Sequence, residues 1–229
     1  SALAGSLVAV SAQAGEMSVS GSANVTFKSG GVGQTGGQSI GTDKDVAFTG
    51  SGELDNGYTF KVVTLLTDAY AVSSSFTTMT MGSLGTITAN GKNGGGAASK
   101  YDEEVPQVYE QSSDAPGNSS DKVGNNLDSA SLTYNSPSFD LGGGASISFD
   151  ADYAPQADDA VINDGGQMTY SATIGKGYGL GATVKYDALT VGIYGADVEN
   201  KTPNAAGNDA VQDAFEGVWY AKYSMGPVS

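Results

Sequence analysis

From Met17 to Lys28 the chain alternates. One set of positions reads Met17, Val19, Gly21, Ala23, Val25, Phe27, and the other reads Ser18, Ser20, Ser22, Asn24, Thr26, Lys28. Successive strand side chains point to opposite faces, so this predicts a strand with one apolar face and one wet face. Its length exceeds the ~5–6 residues of most soluble strands and meets the ~9–11 residues that a tilted membrane-crossing strand needs. The pattern recurs. Leu132 and Tyr134 alternate with Ser131 and Thr133; Ile147, Phe149 and Tyr153 with Ser148, Asp150 and Asp152; Met168 and Tyr170 with Thr169 and Ser171; Trp219 and Tyr223 with Tyr220 and Lys222. A soluble sandwich also alternates, but small polar residues so consistently opposite the apolar ones suit a water-filled interior.

The connections predict a rhythm. Asp55-Asn56-Gly57, Gly82-Ser83-Leu84-Gly85 and a turn beginning at Asn135-Ser136-Pro137 are short, and Asn-Gly tolerates positive φ. Longer polar stretches lie at 29–44, 67–75, 92–126, 154–166 and 199–213. Up-strands near 16–28, 58–66, 86–91, 143–153 and 189–198, with down-strands near 45–54, 76–82, 127–135, 167–186 and 214–224, place every long loop at one end. Segment 167–186 is long for one plain strand, and Gly175, Gly177, Gly179 and Gly181 are expected to bend or bulge it, or to mark an extra hairpin. The count is about ten or eleven strands. No repeat of fixed length points to a solenoid or propeller.

Composition agrees with an all-β chain: 34 Gly and 12 Tyr, with only 15% charged residues. Net charge is −15, and all ten bases are Lys. Nucleic-acid binding needs clustered positive charge, so nucleic acid is an unsuitable partner. Cys and His are absent. Thiolate and imidazole nucleophiles and imidazole metal sites are therefore lacking in this chain, and no enzyme is expected. Residues 1–14 read SALAGSLVAVSAQA, apolar and ending in Ala12-Gln13-Ala14. This is expected to be the remnant of a secretory signal peptide, against the alternative of a short core helix. It is shorter than the ~20 residues of a membrane-crossing helix, so a membrane form of this chain is a barrel.

The run from Gly50 to Asn90, GSGELDNGYTFKVVTLLTDAYAVSSSFTTMTMGSLGTITAN, resembles the Gram-negative general diffusion porins, especially their alphaproteobacterial-type branch. Two features carry the likeness: a glycine-rich strand ending in a DNG-like turn (Gly52 to Gly57), and a G-x-L-G-T turn (Gly82 to Thr86) leading into the strand before the third loop. The strand-turn rhythm extends the likeness over 15–226. The resemblance implies an antiparallel transmembrane β-barrel of about sixteen strands in the bacterial outer membrane, in contact with outer-membrane lipid and assembled as a homotrimer. It implies that 15–229 is the N-terminal part of the barrel, with roughly five or six strands still to follow Met225-Gly226-Pro227. It also implies that loop 92–126 folds inward as a constriction. The family's arginine cluster has no counterpart here.

The constriction candidates are Asp102, Glu103, Glu104, Glu110 and Asp114, since a ring of acids in a narrow passage favours cations. Candidate pore-wall residues are Asn24, Lys28, Lys61, Asp150, Asp152, Lys185, Glu216 and Lys222. Asp158, Asp159 and Asp164 form a weak Ca²⁺ candidate without EF-hand spacing, so no cofactor is expected beyond that. Gly-Lys-Gly-Tyr-Gly at 175–179 is not a phosphate-binding loop. The expected function is passive diffusion of small hydrophilic solutes and ions, with a preference for cations. The alternative is a surface-exposed structural or adhesive β-protein whose acidic loops bind partners. The destination of loop 92–126 discriminates between the two.

Overall fold

The computed structural model describes residues 15–27, 40–67, 70–92, 96–102, 104, 127, 129–157, 174–201 and 213–225. These form an all-β, antiparallel sheet of eleven strands: β1 (Glu16–Phe27), β2 (Ile40–Glu53), β3 (Thr59–Leu66), β4 (Val72–Thr80), β5 (Thr86–Lys92), β6 (Ser131–Asn135), β7 (Phe139–Gly142), β8 (Ala145–Ala154), β9 (Ile174–Tyr186), β10 (Leu189–Asn200) and β11 (Ala214–Tyr223). Each strand pairs with its chain neighbour, except that β7 pairs only with β8 and β6 pairs past it with β8. Among the described residues β1 and β11 end the ten-strand path, and β7 lies off it. A short α-helix, α1 (Ser99–Asp102), lies on the sheet against β10 and β11.

The register turns the alternation into rows that cross the sheet. One row runs Glu16, Ser51, Lys61, Thr78, Thr88, Thr133, Asp152, Gly179, Ala196, Glu216. The next row, on the opposite face, runs Met17, Gly50, Val62, Thr77, Ala89, Leu132, Tyr153, Tyr178, Asp197, Phe215. The first face carries α1 and is here called inner. Exposure runs opposite to that of a soluble sheet. Met17 is 80% exposed, Trp219 73% and Ile193 61%, whereas Asp150 is 2% and Asp152 4% exposed. Large apolar residues on a soluble protein are normally buried together.

Two expectations about connections are corrected. Residues 67–75 are not a long loop: β4 begins at Val72, and Thr67 N–H to Ala71 O (2.9 Å) closes a tight turn. Ser73, Ser74 and Ser75 read as loop by composition, but all three lie in β4: Ser74 and Ser75 pair with β3, and Ser73 is the extra residue where the register shifts. The extra strand lies at 139–142. Gly142, Gly143 and Gly144 all have positive φ (81°, 63°, 84°), which provides the I′-like backbone for a tight hairpin into β8. The expected bulge in β9 lies at its first glycine: Gly177 pairs with Val198 and Ile174 with Asn200, so Gly175 and Lys176 stand opposite Glu199 alone, whereas residues 177–186 pair one to one with β8.

Candidate functional site

The glycines of β9 act through what they leave out. A Cβ at Gly179 would meet the Tyr194 hydroxyl, one at Gly181 the Tyr101 ring, and one at Gly177 the Leu127 side chain. Bare backbone on this stretch of the inner face opens a trough, and two large tyrosines lie in it. Tyr101 comes from α1 and Tyr194 from β10; their rings stack with centroids 5.3 Å apart. Tyr220 of β11 packs against Tyr101 at 6.2 Å. With Ala97, Ala98, Leu127, Ala154, Ala157, Ala196 and Val198 they make a cluster of buried apolar residues. Segment 96–102 is thus seated on the sheet partly by apolar burial.

Two carboxylates hold it in place. Asp152 accepts the Ala97 N–H with both oxygens (2.9 and 3.0 Å), the Thr133 hydroxyl at 2.6 Å and the Tyr194 hydroxyl at 2.7 Å. Asp150 accepts from Lys100 Nζ at 2.7 Å, from Asn135 Nδ2 at 2.7 Å and from the Tyr101 hydroxyl. Each buried carboxylate therefore has several donors, the condition under which burying a charge is tolerable. Burial, and then the bond to Asp150, pushes the Tyr101 hydroxyl well above the ordinary tyrosine value. Lys100 pairs with Asp150, whereas Asp152 is held by neutral donors.

A second network extends the hub. Ser131 donates to Leu127 O at 2.5 Å and Thr133 donates to Asp152. Both hydroxyls therefore accept from Asn90 Nδ2, at 3.0 and 2.9 Å, which fixes the amide's orientation. Asn90 Oδ1 is buried and has no hydrogen-bond partner among the described residues. Val63 and Phe76 share this part of the inner face, as their pairing with Thr49 and Asn90 shows, and they are its apolar exceptions.

The residues singled out from sequence separate clearly. Asn24, Lys61, Asp150, Asp152, Lys185, Glu216 and Lys222 all fall on the inner face by register. Lys61, Lys185 and Lys222 are open to solvent, whereas Asp150 and Asp152 lie covered beneath segment 96–102. Glu104 reaches Lys222 at 3.2 Å. Lys92 belongs to β5 rather than the loop, and its ammonium donates to Val72 O at 2.8 Å. Asp102 ends α1. The Asp102 side chain, Lys28, Glu103, Glu110, Asp114, the Ca²⁺ candidates Asp158, Asp159 and Asp164, and residues 1–14 lie outside the described residues. Among the described residues no group of acids is placed to hold a metal. The sequence reading missed Tyr101, Tyr194, Thr133, Asn135 and Asn90. Glycines at every second position of β9, beside Asp150 and Asp152 of β8 and Tyr194 of β10, were the available signal.

No family model, curated protein or solved structure matches the chain.

Proposed function

We propose that the chain is the wall of an outer-membrane pore through which small hydrophilic solutes and ions diffuse passively, without catalysis. One observation carries this reading: across ten strands the sheet exposes its apolar face and turns its polar rows toward the segment that follows β5. An aqueous sheet protein that exposed Met17, Val19, Ile193, Phe215 and Trp219 together would aggregate. In a bilayer the same face meets hydrocarbon, and the polar rows line water. Strands of ten to fourteen residues, as in β1, β2, β8, β9, β10 and β11, are long enough to cross when tilted. Segment 96–102, seated on the polar face, narrows the passage in this reading.

Charge supports a preference for cations. The chain is net −15 without Arg, and the hub beneath the segment holds two carboxylates against one lysine. Fixed charge in a narrow passage acts more strongly than on an open surface. The test is reconstitution in a planar bilayer under a salt gradient. Stepwise conductance with a cation-selective reversal potential is expected, and neutralising Asp102, Glu103, Glu104 and Glu110 together weakens the preference. No conductance, or an anion-selective potential that ignores those substitutions, contradicts the proposal.

A further inference from the structure

Lys61 stands on the inner face one strand from Ser51 and two strands from Glu16 in the same row. Glu53 lies one pleat along β2 and pairs with Thr59. Lys61 and Glu53 are thus diagonal cross-strand neighbours, a relation that spans ~7–8 Å and is within reach of long side chains. Yet among the described residues Lys61, Glu53 and Glu16 form no ion pair and no side-chain hydrogen bond. A cavity of about 520 Å³ opens over them, and Ser51, Thr59, Thr78 and Thr80 complete its polar lining. The threonines are held in place by neighbours: Thr78 Oγ1 lies 3.1 Å from Thr88 Oγ1, and Thr86 donates to Thr80 Oγ1 at 3.5 Å.

We infer that this cavity is a binding station for small zwitterions of the α-amino-acid type. An ammonium flanked by two carboxylates discriminates by charge pattern. A simple anion meets Lys61 but is repelled by Glu53 and Glu16. A simple cation gains the glutamates but is repelled by Lys61. An ion carrying both charges on one carbon gives its carboxylate to Lys61 and its ammonium to a glutamate, and neither partner is left opposed. A neutral polyol gains only the hydroxyls. The station deepens the pore reading, and its role in passage rests on that reading; its binding does not.

The test uses the full chain folded in detergent, isotope-labelled and titrated with alanine, propionate and ethylammonium at equal ionic strength. Saturable shifts of the Lys61 and Phe60 amide resonances with alanine alone are expected. Lys61→Gln should weaken that binding roughly tenfold or more, because one charge-assisted hydrogen bond is lost, and Glu53→Gln should also weaken it. Both positions are exposed, and unchanged far-ultraviolet dichroism shows that the variants fold. Shifts shared equally by all three ligands, no saturation with alanine, or full binding by the Lys61→Gln variant overturns the inference. Conductance without alanine binding sinks the station alone. Alanine binding without conductance sinks the pore reading and leaves the station standing.

Discussion

Asp152 accepts the backbone N–H of Ala97 with both of its carboxylate oxygens, at 2.9 and 3.0 Å. This joins a strand side chain to the main chain of the segment that follows β5, so the contact does not depend on which side chain stands at 97. Replacing Asp152 by Ala leaves the Ala97 N–H and the Thr133 and Tyr194 hydroxyls without their acceptor in a buried place. The expected loss of docking stability is about 3 kcal/mol, in the range for removing a buried charged acceptor. Trypsin cleavage after Lys100 reads it: the wild-type chain resists and the variant is cut much faster. Equal cleavage rates would show that Asp152 does not hold the segment.

The trough along β9 makes a steric prediction. Gly179→Ala and Gly181→Ala push a methyl into the Tyr194 hydroxyl and the Tyr101 ring. Each is expected to cost about 1–3 kcal/mol, the usual range for overpacking. Gly50→Ala is the control, since its Cβ would have nothing within 4 Å. Urea midpoints of the three variants should fall in two groups. A Gly50→Ala loss as large as the others would point to backbone conformation instead.

Tyr101 sets an alkaline limit. Burial, and then its bond to Asp150, raises the folded-state pKa above the ordinary value of ~10. The unfolded or undocked segment therefore loses this proton first as pH rises. Stability tied to Tyr101 is fully present below pH ~10 and is lost progressively above it. Protease sensitivity at Lys100 should rise steeply above that pH in the wild-type chain. In Tyr101→Phe the segment docks more weakly at neutral pH, with a flatter alkaline rise. An identical alkaline profile in both would remove Tyr101 from this role.

The strands were legible because residues two apart share a face, and the alternation from Met17 to Phe27 needed no knowledge of partners. Strand β7 was hidden. Phe139 to Gly142 is too short to alternate, and its hairpin depends on the positive φ of Gly143 and Gly144. The serines at 73–75 misled because composition reads them as loop, whereas Ser74 and Ser75 pair with β3 and carry the strand past the bulge at Ser73. Asp150 and Asp152 were recognisable as inner-face acids from parity. Their donors were not, because Ala97, Lys100 and Tyr101 lie 49 to 55 residues away in sequence and only the fold brings them near.

The outer face yields a contrast between solvents. Ile193 is mid-strand on that face and 61% exposed. On a water-facing surface Ile193→Lys would be nearly neutral. If the face meets hydrocarbon, the change should cost about 2–4 kcal/mol of folding stability in a bilayer. Reversible folding into lipid vesicles, followed by urea titration, measures it. A neutral result would place this face in water.

Trp219 supplies the most direct test. It is the single tryptophan of the chain and is 73% exposed on the outer face. Its fluorescence therefore reports on one known position without any labelling. The chain is folded into vesicles whose phospholipids carry bromine on the acyl chains, and separately titrated with acrylamide in the water phase. An apolar face against lipid predicts strong quenching by the brominated chains and little by acrylamide. Strong quenching by acrylamide, with none from the brominated lipid, would mean that the exposed apolar face stands in water and would contradict the membrane-wall account.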